Sequence, residues 1–386
     1  MITSLFLQNF KCFEKQTLAF KPLTLLSGLN GTGKSSTIQA LLLLRQSYQQ
    51  KLLQTRGLAL NGDLVHIGTA KDALFEGAGD DIIRFDLTCN IAAQNAPNNK
   101  VREMAVIGTW SFDYKAGANR EKDVLDTIVD SVTHSDEIYR SCLFSDNDFY
   151  YLQAERVGPR RFFETSDFLV RESRQIGISG EYTAHFLSLF AKEPVINPNV
   201  RHPDAVSPLL KDQVEAWLGE VSPGAQIKLD QSPVTDTMTL QYAFAGKEFS
   251  NDYRATNVGF GITYVLPILV AILAARPGSL LLIENPEAHL HPKGQAQMGN
   301  LLAQAASSGV QVIVETHSDH VLNGIRVAVH DGKLQPENVQ LHFFQRRKEN
   351  GRCQVISPQI KPDGRIDHWP DGFFDEWDKS LEALLD

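Results

Sequence analysis

Residues Gly28-Leu29-Asn30-Gly31-Thr32-Gly33-Lys34-Ser35 match the pattern G-x-x-x-x-G-K-[ST] in full. A chain that uses this pattern must place a strand before it and a helix after it. The surrounding residues fit: Leu23, Thr24, Leu25 and Leu26 read as a buried strand, and residues 36–50 read as a helix. The glycines let backbone N–H groups close around phosphate oxygens, Lys34 can reach the β- and γ-phosphates, and the Ser35 hydroxyl can ligate Mg²⁺ at the helix N-terminus. The expected ligand is a nucleoside triphosphate with Mg²⁺, held by Asn30, Gly31, Thr32, Gly33, Lys34, Ser35 and Ser36.

At 386 residues the chain holds one large or two ordinary domains. A net charge of −9 argues against broad wrapping of nucleic acid, so contact with DNA or RNA would need a local basic patch. Cys12, Cys89, Cys142 and Cys353 are far apart with no C-x-x-C spacing, and read as free thiols in a reducing compartment. No signal-peptide pattern is visible, and the longest apolar run, residues 265–275, is too short to cross a bilayer and contains Pro267. A cytoplasmic protein with no membrane partner is expected.

Residues 2–13 alternate as a half-buried strand, and a second strand follows at 16–20. The segment Asn9-Phe10-Lys11-Cys12-Phe13 resembles the one that precedes the phosphate loop in the ATP-binding heads of RecF, structural-maintenance-of-chromosomes (SMC) and overcoming-lysogenization-defect ATPases. That resemblance makes Lys11 and Phe13 candidates for flanking the nucleotide base, whereas an aromatic residue in a strand more often packs into the core. Residues 58–79 are rich in Gly and Asp, residues 81–90 and 103–115 read as strands of an antiparallel subdomain, and 90–100 as a polar loop between them. No heptad pattern is sustained, so long coiled-coil arms are not expected.

The densest arginine cluster comprises Arg156, Arg160, Arg161, Arg171 and Arg174. Guanidinium groups fork onto phosphates, which points to nucleotide or DNA contact; the alternative is a solvated face paired with Glu155, Glu164 and Glu172. A similar "AER-x-GPRR" segment in the resembling family favours Arg156, Arg160 and Arg161, and likeness to cassette heads makes Gln153 a candidate for the Mg²⁺ shell. Residues 181–221 turn helical, with helices at 183–191 and 208–219 around a Pro/Asn-rich loop, and strand texture resumes at 227–229 and 237–244.

Gly259 and Gly261 precede a helix expected over 263–275, where free N–H groups and the helix dipole suit a γ-phosphate. Residues 279–283 form a continuous apolar run, the texture of a central parallel strand, and Glu284-Asn285-Pro286-Glu287-Ala288-His289-Leu290-His291-Pro292 follows at its carboxyl end. An acid there can hold Mg²⁺ through water. A third strand, residues 310–315, leads to His317. By resemblance, "VGFG" at 258–261 is a degenerate cassette signature that completes the site of a second subunit, and His317 is the switch histidine that contacts the γ-phosphate. The same resemblance puts Glu284 at the Mg²⁺-binding acid position, and puts Asn285 where hydrolytic relatives carry a general-base glutamate. An amide cannot take the proton of an attacking water, so either Glu287 is the base, hydrolysis is slow, or binding alone is the function. Zinc at His289, His291 and His317 is a weaker reading. Beyond 329, strands at 339–345 and up to Ile356 flank a charged turn, and the tail resembles a small C-terminal module of bacterial members of this class; no toprim nuclease cluster is seen.

The expected fold is α/β: an ATP-binding-cassette (ABC) ATPase head of mixed or parallel P-loop sheet with flanking helices, an antiparallel β subdomain and a helical insertion. The expected divisions are residues 1–180, 181–225, 226–335 and 336–386. The expected site comprises Glu287, His317 and Glu284 for catalysis, the phosphate-loop residues with Lys11, Gly259 and Gly261 for ATP, and Ser35, Glu284 and Gln153 for the metal. The resemblance implies a head-to-head dimer acting as an ATP-dependent switch in DNA transactions or anti-phage defence with a separately encoded effector, such as a nuclease. The rivals are a non-hydrolysing ATP-sensing scaffold and a transporter-coupled cassette.

Overall fold

The computed structural model of the protein describes residues 1–92, 103–114, 122–128, 133–134, 136–232, 234–244 and 251–385. They form two compact units. The first holds residues 1–145, 340–358 and 370–373; the second holds 146–339, 359–369 and the residues from 374 onward.

The first unit opens with β1 (Ile2–Phe10), β2 (Phe13–Ala19), β3 (Leu23–Gly28), α1 (Lys34–Gln49), β4 (Gly57–Ala59) and the single-turn α2 (Ala70–Ala73). There follow β5 (Ile82–Ala92), β6 (Glu103–Asp113), β7 (Val124–Thr127) and β8 (Thr133–His134). The antiparallel subdomain is a sheet of order β2-β1-β5-β6-β7-β4, with β8 on β6. Its inner face follows from period two: Ile83, Phe85, Leu87, Cys89 and Ile91 of β5 are all buried, with more exposed residues between them. Phe85 meets Phe10 and Phe112 edge-on at centroid distances of 5.0 and 5.9 Å.

The structure corrects three local expectations in this unit. The first strand ends at Phe10, not at residue 13, because Asn9 and Lys11 take left-handed backbone (φ 53 and 50) and turn the chain. β2 therefore starts at Phe13, paired with Phe10. Residues 91 and 92, expected in the polar loop, continue the β5 ladder, with Ile91 opposite Met104. The rest of that loop, 93–100, and Lys115 lie outside the described residues.

The second unit contains β9 (Phe149–Leu152), β10 (Phe163–Glu164), α3 (Thr183–Phe190), α4 (Leu210–Gly219), β11 (Ala225–Ser232), β12 (Thr237–Phe244) and β13 (Tyr253–Arg254). It continues with α5 (Phe260–Ala274), β14 (Leu280–Glu284), α6 (Pro292–Ser307), β15 (Gln311–Glu315) and α7 (Asp319–His330). β14 lies between β15 and β9 and is parallel to both, with Leu282 opposite Ile313 and Tyr151. Leu280 to Ile283 and Val312 to Val314 are buried on both faces, as a parallel sheet requires. A small antiparallel sheet, β10-β12-β11 with β13 on β12, packs separately. α4 begins at Leu210, two residues later than expected, because Leu209 is still extended and Ser207 bonds Asp212 across the turn. α5 begins at Phe260, three residues early, so Gly261 falls inside its first turn.

The chain then returns to the first unit as an antiparallel hairpin, β16 (Val339–Arg346) and β17 (Cys353–Ile356), with β16 hydrogen-bonded beside β3. The last element is α8 (Glu376–Leu385).

Candidate functional site

The phosphate loop leaves β3 at Gly28, where the φ is 133° and a Cβ would stand 2.1 Å from the Phe344 carbonyl oxygen. No other residue fits there. Gly31 and Gly33 also have positive φ, and Gly33 caps α1. Lys34 is buried, 3% exposed, and its Nζ donates to the carbonyls of Gly28 and Leu29 at 2.9 Å each. Its ammonium is thus held in the concavity of the loop. Asn30, Gly31 and Ser35 are exposed, with Ser35 on the first turn of α1, and Gly31 has open space where a Cβ would be. A loop with open space at Gly31, the N-terminus of α1 and a preset cation fits a triphosphate.

The flank of the loop contains residues the sequence did not single out. Arg346 Nη2 of the C-terminal hairpin donates to the Gly31 carbonyl at 3.0 Å, and Arg352 pairs with Glu14. The charged turn between β16 and β17 therefore braces the loop in part. Phe13 is 2% exposed, and its Cζ would lie 2.6 Å from a Cβ on Gly33, so it is core rather than a face for the nucleotide base. Lys11 Nζ donates to Gln39 Oε1 at 2.7 Å, and burial lowers its pKa.

In the second unit, Glu284 ends β14 and is fixed by three neighbours. Tyr151 Oη donates to Oε1 at 2.9 Å, the Ala154 N–H donates to Oε2 at 3.2 Å, and Arg156 holds the backbone below. Burial pushes the Glu284 carboxyl up, and those donors only partly oppose it. Asn285 follows with left-handed φ 45, its N–H bonded to the Glu315 carbonyl at 2.8 Å. Its Oδ1 is buried without a hydrogen-bond partner among the described residues. That orphan acceptor fits a site that takes a ligand or a water. Glu287 accepts from Thr316 Oγ1 at 2.8 Å and from the His317 N–H at 2.7 Å, so the structure brings Glu287 and the exposed His317 together.

Gly259 caps α5, is exposed and has nothing within 4 Å of a Cβ position. Gly261 is required by close approach, since a Cβ would stand 2.6 Å from the His289 carbonyl oxygen. Both line a cavity of about 510 Å³ with Asn257, Tyr253, His289 and His291. His289 packs against Tyr264 at 4.6 Å, and His291 Nδ1 caps α6 by accepting from the Lys293 N–H. Among the described residues no group of three His, Cys, Asp or Glu is arranged for a metal, so the zinc reading has no support.

The arginine cluster separates by role. Arg156 is 3% exposed and spends its guanidinium on the carbonyls of Gln153, Tyr264, Glu284 and Asn285. It is neither a phosphate ligand nor part of a solvated face, but a clamp on the acidic strand end, and burial lowers its pKa to about 10. Arg171 pairs with Asp167, and Arg174 pairs with Glu193 while lying 4.2 Å over the Phe190 ring, instead of with the expected glutamates. Arg160 and Arg161 remain exposed. Gln153 stands just past β9 rather than in a strand, its Nε2 donating to the Glu155 carbonyl at 3.0 Å.

Residues 108–323 match a family model described as "AAA domain, putative AbiEii toxin, Type IV TA system". Residues 1–148 match "AAA ATPase domain", and 334–384 match "Protein of unknown function (DUF3696)". No curated protein matches the chain. Many solved structures are similar, among them three Smc heads. An Smc head bound to the C-winged helix domain of ScpA has 16% identity over 93% of this chain and 98% of that one, with a TM-score of 0.53. An Smc head with an extended coiled coil bound to the C-terminal domain of ScpA, from Pyrococcus furiosus, has 13% identity over 100% and 99%, with a TM-score of 0.52. An Smc head with a coiled coil and joint, from Pyrococcus yayanosii, has 10% identity over 98% and 99%, with a TM-score of 0.53. At these identities the likeness is one of fold, that of an ABC-ATPase head. Since the first of these family models spans more than half of the chain, the chain belongs to the family described as "AAA domain, putative AbiEii toxin, Type IV TA system", a P-loop ATPase domain with the fold of an ABC-class head.

Proposed function

We propose that the protein binds ATP with Mg²⁺ and acts as a conformational switch in anti-phage defence or DNA transactions, dimerising head to head and working with a separately encoded effector such as a nuclease. The observation that carries the ATP reading is the preset loop, with Lys34 Nζ held on the Gly28 and Leu29 carbonyls. Phosphate oxygens offer the same ammonium a stronger, charge-assisted partner. Mg²⁺ would neutralise phosphate charge; Ser35 supplies a hydroxyl to it, and Glu284 and Gln153 are the acid and amide offered to it. Gly259 and Gly261 present the N-terminus of α5 to the nucleotide of a second subunit, and His317 reads the γ-phosphate.

A second reading, a slow or non-hydrolysing ATP sensor, is favoured by the acidic segment. Asn285 offers an unpartnered acceptor that can orient water but cannot take its proton, and both Glu287 oxygens are engaged by Thr316 and His317. The test of the shared premise is calorimetric titration of ATP-Mg²⁺ into the wild type and Lys34→Ala. A loss of about a hundredfold in affinity, ~3 kcal/mol, is expected from removing a buried phosphate-directed cation. Equal affinity in the two proteins would remove the premise.

A further inference from the structure

Two cysteines far apart in sequence, Cys12 and Cys353, meet on the flank of the phosphate loop. Cys12 stands in the turn between β1 and β2, and Cys353 opens β17 opposite Arg346. Their sulfurs reach the same short stretch of that loop, residues 32–36. Cys353 Sγ lies 2.7 Å from the Thr32 carbonyl oxygen; Cys12 Sγ lies 4.0 Å from Ser36 Oγ and would be 2.9 Å from a Cβ on Gly33. Both residues are partly exposed and line one cavity of about 160 Å³ with Phe13 and Arg352, so a small solute can reach them.

The pair is also chemically unequal. The neighbouring Cys353, then Ser36 and the Arg346 charge, hold the Cys12 thiol below its usual value, while Cys12 and burial push Cys353 up. Cys89 and Cys142, in contrast, are buried, and burial pushes the Cys89 thiol up to about 12 and raises that of Cys142. Two partly exposed cysteines on one cavity, the thiol of one held lower than that of the other, have the arrangement of an attacking and a resolving cysteine.

We propose that Cys12 and Cys353 are an oxidisable dithiol, a modification site where peroxides close a disulfide that deforms the phosphate loop and switches off nucleotide binding. The Cys12 thiolate attacks one peroxide oxygen; the O–O bond breaks, an S–O bond forms, and the leaving oxygen departs as water or alcohol after protonation. The Cys353 sulfur then attacks the Cys12 sulfur, the S–O bond breaks, and hydroxide leaves as water with the Cys353 proton. Two thiols are oxidised by two electrons in all, and one peroxide is reduced. The disulfide draws the sulfurs to about 2.05 Å and takes away the S–H that faces the Thr32 carbonyl. On the other side, the Phe13 ring and Cys12 already fill the space against Gly33, so the loop has no slack to absorb the shift. In a reducing compartment such a bond is transient, as redox-sensing disulfides are.

The loss of binding rests on the ATP reading above, so bond and binding are measured separately. The full chain is treated with hydrogen peroxide and digested without reductant, and peptide masses are compared for the wild type, Cys12→Ser and Cys353→Ser. A Cys12–Cys353 linked peptide in the wild type alone, reversed by dithiothreitol, is expected. A fluorescent ATP analogue should bind about tenfold more weakly to the oxidised wild type and recover on reduction, with each serine variant unchanged by peroxide relative to itself. Thiols that both remain alkylatable after peroxide, or a linked protein that binds the analogue as tightly as before, would overturn the proposal. If the reduced wild type fails to bind the analogue at all, the ATP reading falls, while the linked peptide stands as evidence for the site.

Discussion

Asn285 sits at the junction of two demands. Its left-handed backbone, φ 45, suits Asn or Asp better than most residues, and its side-chain oxygen is buried without a partner among the described residues. Aspartate keeps the size and the backbone tolerance and adds a proton acceptor beside Glu284. Asn285→Asp should therefore raise the rate of phosphate release by about a hundredfold, the usual worth of a general base, with little change in ATP affinity. A coupled phosphate assay checks this, and an unchanged rate would mean that the missing carboxylate does not limit turnover. The oddity of Asn285 was visible in the sequence, because one residue type departs from a pattern. The role of Arg156 was not: three of the four carbonyls around it come from distant segments, and carbonyls carry no mark in a sequence. An arginine-rich stretch reads the same whether its guanidinium groups face phosphate, acid or backbone.

Among the elements, β16 shows how a late segment is tied into the first unit. His342 on it is 3% exposed, with Nε2 2.8 Å from the Ala19 carbonyl oxygen and Nδ1 2.8 Å from Ser357 Oγ. Burial lowers its pKa below the ordinary 6.5, against the raising effect of the Ala19 bond. The folded state thus binds fewer protons than the unfolded state between the folded pKa and 6.5, and stability rises with pH there. The stabilisation is present in full above 6.5 and is lost as pH falls through the folded value. Urea unfolding across that range should show a positive slope, at most about 1.4 kcal/mol per pH unit from this group, and His342→Gln should flatten it. An equal slope in the variant would assign the dependence elsewhere. The main strands were legible, since β14 and β15 carry the apolar runs Leu280 to Ile283 and Val312 to Val314 and β5 alternates strictly. The return of the β16–β17 hairpin was not. Arg346 and Gly31 are 315 residues apart, and local periodicity says nothing about which distant loop a hairpin tip will brace.

For the whole molecule, the decisive question is whether ATP joins two copies. Gly259 offers a clean probe, because it is exposed, its φ of −59 is ordinary for any residue, and a Cβ there meets nothing within 4 Å. An aspartate is thus sterically free in the single chain, yet it sets a negative charge at a helix N-terminus proposed to receive a partner's γ-phosphate. Two like charges there oppose each other by several kcal/mol if water is excluded, and by far less if the surface stays wet. Gly259→Asp should bind ATP-Mg²⁺ within about twofold of wild type while losing the ATP-dependent doubling of mass. Light scattering with and without ATP, run beside calorimetry on the same samples, separates the two effects. Dimers at wild-type levels in the variant would refute the composite site, whereas loss of dimers with binding intact places the second half of the ATP contact on another molecule. The Asn285→Asp protein makes the complementary case: if ATP drives assembly and hydrolysis undoes it, faster hydrolysis should shorten the lifetime of the dimer without changing its stoichiometry.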